Sequence, residues 1–283
     1  MIEKDQLVDD ELLDDLEEFP PLAAGDVVAP GYEVISHLHR SNNFDVYDAW
    51  SDERACRCIA KIPCPDLLDD TRTARRLLRE GRRLKGFSHP HLVRLYESLR
   101  EPQPTLILET ITGETLAHLI HRSKRRLPTS DVIYLGLHLC SAIHYLHRQG
   151  ILHLDLKPSN IVSERGLAKV LDLSIAQPPG RSRKGAGTDQ YMSPEQARGE
   201  PVDEAADVWG IGTVLYEATT FKAAFDLHEH EDEYVQLERR AEPIRTHRRL
   251  PAALASAIDA CLEPDPARRP TVDGLMESLN ALT

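Results

Sequence analysis

The stretch His153-Leu154-Asp155-Leu156-Lys157-Pro158-Ser159-Asn160-Ile161 sets a carboxylate, an ammonium and a carboxamide at fixed offsets behind an apolar run. Those groups suit phosphoryl transfer. Asp155 would accept or orient the proton of an attacking hydroxyl, and Lys157 would neutralise charge on the transferring phosphoryl group. Asn160 would help hold a magnesium ion.

Elements on either side must position these residues. Upstream, Cys58-Ile59-Ala60-Lys61 ends an apolar run on a Lys. Glu80 lies in the helical pattern Arg75-Arg76-Leu77-Leu78-Arg79-Glu80-Gly81-Arg82-Arg83-Leu84, from which it can turn inward onto Lys61. Downstream, Val170-Leu171-Asp172-Leu173-Ser174 brings a second carboxylate. Then follow Gly187-Thr188-Asp189-Gln190-Tyr191-Met192-Ser193-Pro194-Glu195, Asp207-Val208-Trp209-Gly210 and Arg268-Arg269-Pro270-Thr271. In this order the runs resemble those of eukaryotic-type (Hanks-type) Ser/Thr protein kinases of the soluble bacterial type, over about residues 32–283.

The resemblance implies an α+β, bilobal protein-kinase-like fold with a small β-rich N-lobe and a larger helical C-lobe. Residues 1–31 would be an acidic N-terminal extension. Residues 32–283 would form the kinase domain, with the N-lobe over about 32–110 and the C-lobe over about 111–283. The implied activity is transfer of the γ-phosphoryl group of ATP, with Mg2+, to Ser/Thr hydroxyls of a protein substrate, including the chain itself. Lys61 would contact the phosphates and pair with Glu80. Val46, Ile59, Leu108 and Thr110 would border the adenine, and Ser41 would lie in the phosphate-covering loop. Asp155 and Lys157 would be catalytic, Asn160 and Asp172 would hold the metal, and Glu195 would pair with the late Arg269. Thr188 and Lys157 match the serine/threonine branch of the family, not the tyrosine branch.

Some positions depart from the family pattern. Aligned on Val46-Tyr47, the covering loop carries His39, Ser41 and Phe44 where the family has glycines. A left-handed backbone at Phe44 would cost about 1–2 kcal/mol. Ile59 replaces a small Ala beside the adenine and would narrow that pocket. Leu154 replaces the Arg that grips a phosphorylated activation loop, which predicts activity without such phosphorylation. These changes leave a pseudokinase, acting as a scaffold or regulatory binding module, as the alternative reading. The complete set Lys61, Glu80, Asp155, Lys157, Asn160 and Asp172 favours an active enzyme. A small-molecule phosphotransferase fits less well, because residues 187–195, Asp207 and Arg269 resemble a peptide-docking platform.

Charge narrows the partners. Of the net −12, residues 1–20 carry −8, from nine acids and Lys4. This balance disfavours nucleic acid as a partner. Ile2, Leu7, Val8, Leu12, Leu13, Leu16 and Phe19 recur there at near-helical intervals, so the segment reads either as an amphipathic helix or as a solvated tail. The Arg-rich helix around residues 75–83, or the basic loop with Arg181, Arg183 and Lys184, would be its docking place. No apolar run reaches 18 residues, so no membrane span is expected. A reduced, cytoplasmic location follows from the odd cysteine count. Cys56, Cys58 and Cys64 read as small core hydrophobes, not a metal cluster, and the alternation His228–Glu233 reads as a solvated acidic loop.

Composition and periodicity predict strands at 32–35, 46–50, 57–62 and 105–109. Helices are predicted at 71–86, 129–149, 205–219, 250–262 and 271–282, the second capped by Thr129, Ser130 or Asp131 with Gly150 just past its end.

Overall fold

The structure is a computed structural model that describes residues 19–123, 125–226 and 234–283. The acidic stretch up to Glu18 and the alternation His228–Glu233 lie outside the described residues. The chain divides into two compact units, Met1–Ser88 with Val93–Ile111 and His89–Leu92 with Thr112–Thr283. The first is β-rich and the second mainly helical, as the bilobal fold requires.

The first unit holds β1 (Val27–Ala29), β2 (Tyr32–Arg40), β3 (Phe44–Ser51), β4 (Cys56–Pro63), β5 (Leu95–Leu99) and β6 (Thr105–Glu109). They form one antiparallel sheet in the order β1-β2-β3-β4-β6-β5. Strand alternation sends Tyr47, Ala49, Cys58, Ala60, Ile62 and Ile107 into a core with Val28, Tyr32 and Val34. The pairings Val46↔Lys61 and Ile59↔Leu108 put those four residues on the opposite face. Two strands escape the sequence pattern. β1 falls in the stretch read as an extension, and β5 has no clean alternation. β2 also runs five residues beyond its predicted end, because irregularities at Val34/Ser36 and His37/His39 break the period-2 signal.

The β2–β3 hairpin is tied by a buried ion pair. Asp45 is fully buried and accepts from Arg40 Nε at 2.8 Å and Nη2 at 2.6 Å. His37 Nε2 lies 2.9 Å from Asp45 Oδ1, and the Tyr47 hydroxyl donates to Oδ2 at 3.2 Å. Burial alone would raise the Asp45 pKa, but hydrogen bonds and charge from Arg40 and His37 outweigh it and hold the carboxyl below its ordinary range. The same groups fasten the incoming chain: Arg40 Nη1 donates to the Phe19 carbonyl at 2.7 Å, and Leu22 N–H donates to the Tyr47 hydroxyl at 3.1 Å.

Helix α1 (Thr71–Leu84) starts at Asp70, whose carboxylate accepts from the Arg72 and Thr73 N–H groups. It packs closely on the sheet because residue 81 is Gly. A Cβ there would lie 2.6 Å from Leu106 Cδ2 and 2.7 Å from Ser98 Oγ.

The second unit contains α2 (Leu116–Arg122), α3 (Thr129–Arg148), α4 (Pro194–Arg198), α5 (Glu204–Thr220), α6 (Ala252–Cys261) and α7 (Val272–Asn280). Small sheets β7 (Glu114–Thr115), β8 (Ile161–Glu164) and β9 (Leu167–Val170), and β10 (Gly180–Arg181) with β11 (Pro201–Val202), complete it. The expected side-chain cap of α3 is absent. Pro128 occupies that position with no capping hydrogen bond, while Gly150 beyond the other end has φ 69° as expected. α5 is buried nearly all round, and Asp203 caps it.

Asp45→Ala should lower stability by about 3–5 kcal/mol, because it strands the buried Arg40. Replacing both partners, Arg40→Met with Asp45→Leu, should recover most of that loss in chemical denaturation. A single-variant loss below about 1 kcal/mol would contradict the assignment.

Candidate active site

The loop between α3 and β8 is held by one buried carboxylate. Asp207, in the first turns of α5, accepts from Leu154 N–H at 2.8 Å and His153 N–H at 2.9 Å, with His147 Nε2 at 2.8 Å. Burial would raise its pKa, but the His147 hydrogen bond, the positive influence of His147 and His153, and the Leu154 N–H leave it below the ordinary range. Anchored this way, Leu154 adopts φ 66° although it is not a glycine. Its carbonyl accepts from Gln196 Nε2 at 2.9 Å, which joins the loop to α4.

Asp155 follows directly and is the centre of the polar cluster. Its Oδ1 accepts from the Thr188 hydroxyl at 2.8 Å. Its Oδ2 accepts from Asn160 Nδ2 at 3.1 Å and lies 3.3 Å from Lys157 Nζ. Lys157 Nζ also donates to Thr188 Oγ1 at 2.7 Å. Asp155, Lys157 and Asn160 therefore meet as their spacing predicted. Thr188 joins them from a segment far along the chain.

Asp172 sits in the left-handed region at φ 58°, and its Oδ1 accepts from Ser174 N–H at 2.9 Å. It is tied to the loop through Leu171 N–H, which donates to the Asn160 carbonyl at 2.8 Å. The Asn160 amide is fixed by Nδ2, which donates to the Asp155 carbonyl and carboxylate. Its Oδ1 has no hydrogen-bond partner among the described residues. A carboxylate and a free carboxamide oxygen suit Mg2+, which takes one or two protein oxygens and completes its shell with phosphates and water. No group of three or more His, Cys, Asp or Glu among the described residues forms a protein-only metal cage.

In the first unit, Lys61 Nζ contacts Glu80 Oε2 at 2.9 Å and Oε1 at 3.2 Å, with both side chains nearly buried. The tight packing at Gly81 brings Glu80 to this distance. Val46, Ile59 and Leu108 share the face of Lys61 and offer it an apolar border. Thr110 Oγ1 is buried without a hydrogen-bond partner, which fits a polar ligand edge at that end.

The β2–β3 hairpin differs from expectation. Phe44 is not among the residues with positive φ, so the strain expected there is absent. It is buried in β3, and its ring lies 5.0 Å from Lys61 Nζ and 5.9 Å from the Arg76 guanidinium. Ser41 N–H donates to the Phe44 carbonyl at 2.9 Å, and Phe44 N–H donates to Ser41 Oγ at 3.2 Å. These amides and the Ser41 hydroxyl are thus used inside the hairpin, not left open for phosphate.

Glu195 and Arg269 pair as the motif resemblance implied, at 2.6 and 2.9 Å, with Arg269 also over the Trp209 ring at 4.9 Å. Leu154 packs with Leu152, Val202, Ala206 and Ile175. Two contributors were not identified as site residues from the sequence: Asp207 as anchor of the loop, and Gln196, which also binds the Ala186 carbonyl at 3.1 Å. The Asp207-Val208-Trp209-Gly210 run marks Asp207 as part of a motif but not as the anchor of this loop, and Gln196 is signalled only by its place after Pro-Glu.

Comparison with known proteins agrees. The family described as protein kinase domain matches residues 32–279. A probable serine/threonine-protein kinase of Streptomyces coelicolor is 32% identical over 207 residues, 69% of this chain and 31% of that protein. The probable serine/threonine-protein kinase PknB of Bifidobacterium longum is 36% identical over 213 residues, covering 69% and 31%. PknB of Mycobacterium leprae is 33% identical over 214 residues, covering 71% and 32%. With this fold and this match, the chain belongs to the protein kinase family, whose members generally use ATP and Mg2+. It spans about a third of the length of the curated relatives it matches.

Asp207→Asn keeps the shape but loses an acceptor, and should lower stability at pH 7 by about 3 kcal/mol. Since the folded-state pKa of Asp207 is depressed, its contribution is complete above about pH 4 and lost as pH falls through the folded value. The wild type should therefore show a steeper acid limb than the variant in denaturation at stepped pH. Parallel acid limbs would contradict the anchoring role.

Proposed function

We propose that this chain is a serine/threonine protein kinase that transfers the γ-phosphoryl group of ATP to a protein hydroxyl, its own included. The observation that carries the reading is the environment of Asp155. Its Oδ1 accepts the O–H of Thr188 at 2.8 Å, the kind of hydrogen bond a substrate Ser or Thr hydroxyl would make. Lys157, 3.3 Å from the other oxygen, would steady negative charge on the transferred group. Asn160 Oδ1 and Asp172 would hold magnesium, which neutralises charge on the phosphates when bound. Lys61, oriented by Glu80, would contact the phosphates, and Val46, Ile59, Leu108 and Thr110 would border the adenine. In this reading the hairpin covers the nucleotide with the Phe44 side chain and Asn42-Asn43 in place of open glycine amides, and Ser41 closes the turn.

The relatives' names as serine/threonine-protein kinases support activity over the scaffold alternative. Protein, not nucleic acid, remains the proposed partner, on the net charge of −12. No helix among the described residues is long and apolar enough to cross a membrane. A cytoplasmic location belongs to the same proposal and is supported by five free cysteines.

Control follows from Leu154. At the position of a phosphate-gripping Arg stands an apolar side chain packed among Leu152, Ile175, Val202 and Ala206. The segment beyond is pinned by backbone pairs, Leu152 with Gln177 at 2.8 and 3.1 Å and β10 with β11. In this reading its order rests on these backbone pairs and the packing of Leu154, without a phosphate.

Phosphate transfer from labelled ATP to itself or to a generic acceptor tests the activity. Asp155→Asn and Asp172→Asn should each lower the rate at least about a hundredfold with little change in thermal stability. Wild-type-like turnover in either variant would sink the assignment. Lys61→Met is a poorer probe, since it strands the buried Glu80 at a cost of about 3–5 kcal/mol.

Ser182→Ala, in the segment beyond Asp172, should leave transfer within about twofold of the wild type, a change worth only about 0.4 kcal/mol in barrier. Loss of activity there would overturn the phosphorylation-independent reading.

A further inference from the structure

Helix α1 has an unusual charge pattern. It carries six arginines and a single acid, Glu80, which turns inward onto Lys61. Arg72, Arg75, Arg79 and Arg82 follow one another at intervals of three or four and are all exposed, and Lys85 continues the line at the helix end. Such spacing puts them on one outer stripe. Among the described residues, none of these five side chains forms a salt bridge or hydrogen bond.

The stripe works against the helix that bears it. Like charges at these spacings each destabilise by about 0.2–0.5 kcal/mol. Arg72 and Arg75 also sit near the helix N-terminus, where the dipole disfavours cations, and no acid stands in the first turn beyond the capping Asp70. Burial lowers the Arg83 pKa, and Arg79 and Arg82 push it the same way. An anionic partner lying along the stripe would relieve all of this.

The same chain supplies one. Residues 1–18 contain nine acids and Lys4, a charge of −8, with Leu7, Val8, Leu12, Leu13 and Leu16 among them. They enter the first unit at Phe19, whose carbonyl is held by Arg40, and at Leu22, held by Tyr47. Phe44 of that same hairpin lies 5.9 Å from the Arg76 guanidinium of α1. An 18-residue stretch extends to about 60 Å at most, so the stripe is within reach of this anchor. The tether also replaces a bimolecular encounter by an effective concentration of order millimolar, enough for weak surface attraction to count.

We propose that the outer face of α1, the stripe Arg72, Arg75, Arg79, Arg82 and Lys85, is the docking surface for the chain's own acidic segment, residues 1–18. The docking does not rest on the proposed kinase activity.

Amide hydrogen exchange on the full chain tests the docking without reading activity. In the wild type at low salt, the amides of residues 7–16 should exchange about tenfold or more slowly than in an unstructured chain, whatever the protein concentration. The protection should vanish at about 1 M NaCl, where the screening length falls to about 3 Å. It should vanish equally in Arg75→Gln/Arg79→Gln/Arg82→Gln and in Asp9→Asn/Asp10→Asn/Asp14→Asn/Asp15→Asn, with an unchanged thermal transition showing that each variant is folded. Unprotected amides in the wild type, or protection retained in the glutamine variant, would overturn the proposal. Protection that grows with protein concentration would assign the face to a second copy and overturn it too. A chain that shows the protection but transfers no phosphate would separate failure of the activity from failure of the docking.

Discussion

The Asp207 carboxylate is the constraint on which the loop carrying Asp155, Lys157 and Asn160 depends. It is buried at the start of α5, the most enclosed helix of the second unit, and it takes the backbone N–H groups of His153 and Leu154. Two donors converging on one rigid acceptor leave Leu154 little choice but its left-handed φ. That bend aims the next side chain, Asp155, at Lys157, Asn160 and Thr188. A charge buried in a helix core is an expensive anchor, tolerated because all its partners come with the loop. Stiffness follows, since moving the loop means breaking charge-assisted hydrogen bonds where water cannot replace them.

The first unit solves a similar problem with a different device. Lys61 comes from a strand and Glu80 from a helix, so their contact depends on how closely α1 approaches the sheet. Gly81 sets that approach by removing the one Cβ that would strike Leu106 and Ser98. Phe44 closes the other side of the ammonium with its ring. Where the family pattern has glycines, the β2–β3 hairpin carries contacts of its own: a tight turn, a buried Arg40–Asp45 pair and an aromatic ring beside Lys61. Substitutions that look like decay in the sequence form a packed, hydrogen-bonded alternative.

Much of the architecture was legible because it rests on local signals. The β4 and β6 strands and the long helices are written in periodicity and in end signals such as Asp70 and Gly150. The order of polar motifs pointed to the cluster around Asp155. Short elements were missed for a physical reason. α4 is five residues long and is held by a capping box between Ser193 and Gln196 and by contacts from elsewhere, with too few turns to leave a period. β1 is likewise defined only by the strand beside it.

The residue types by themselves determined the available chemistry: two carboxylates, a Lys, a carboxamide, and a second Lys with a Glu to orient it. Spacing also determined that Asp155, Lys157 and Asn160 would meet, since five residues cannot carry them far apart. Only the tertiary structure decided that Thr188, 33 residues on, completes the cluster, that Asp207 holds it, and that Phe44 is unstrained. The difference is one of range. Local preferences are fixed by neighbours along the chain, whereas a buried hydrogen bond or a ring over an ammonium exists only once distant segments have been packed together and their water removed.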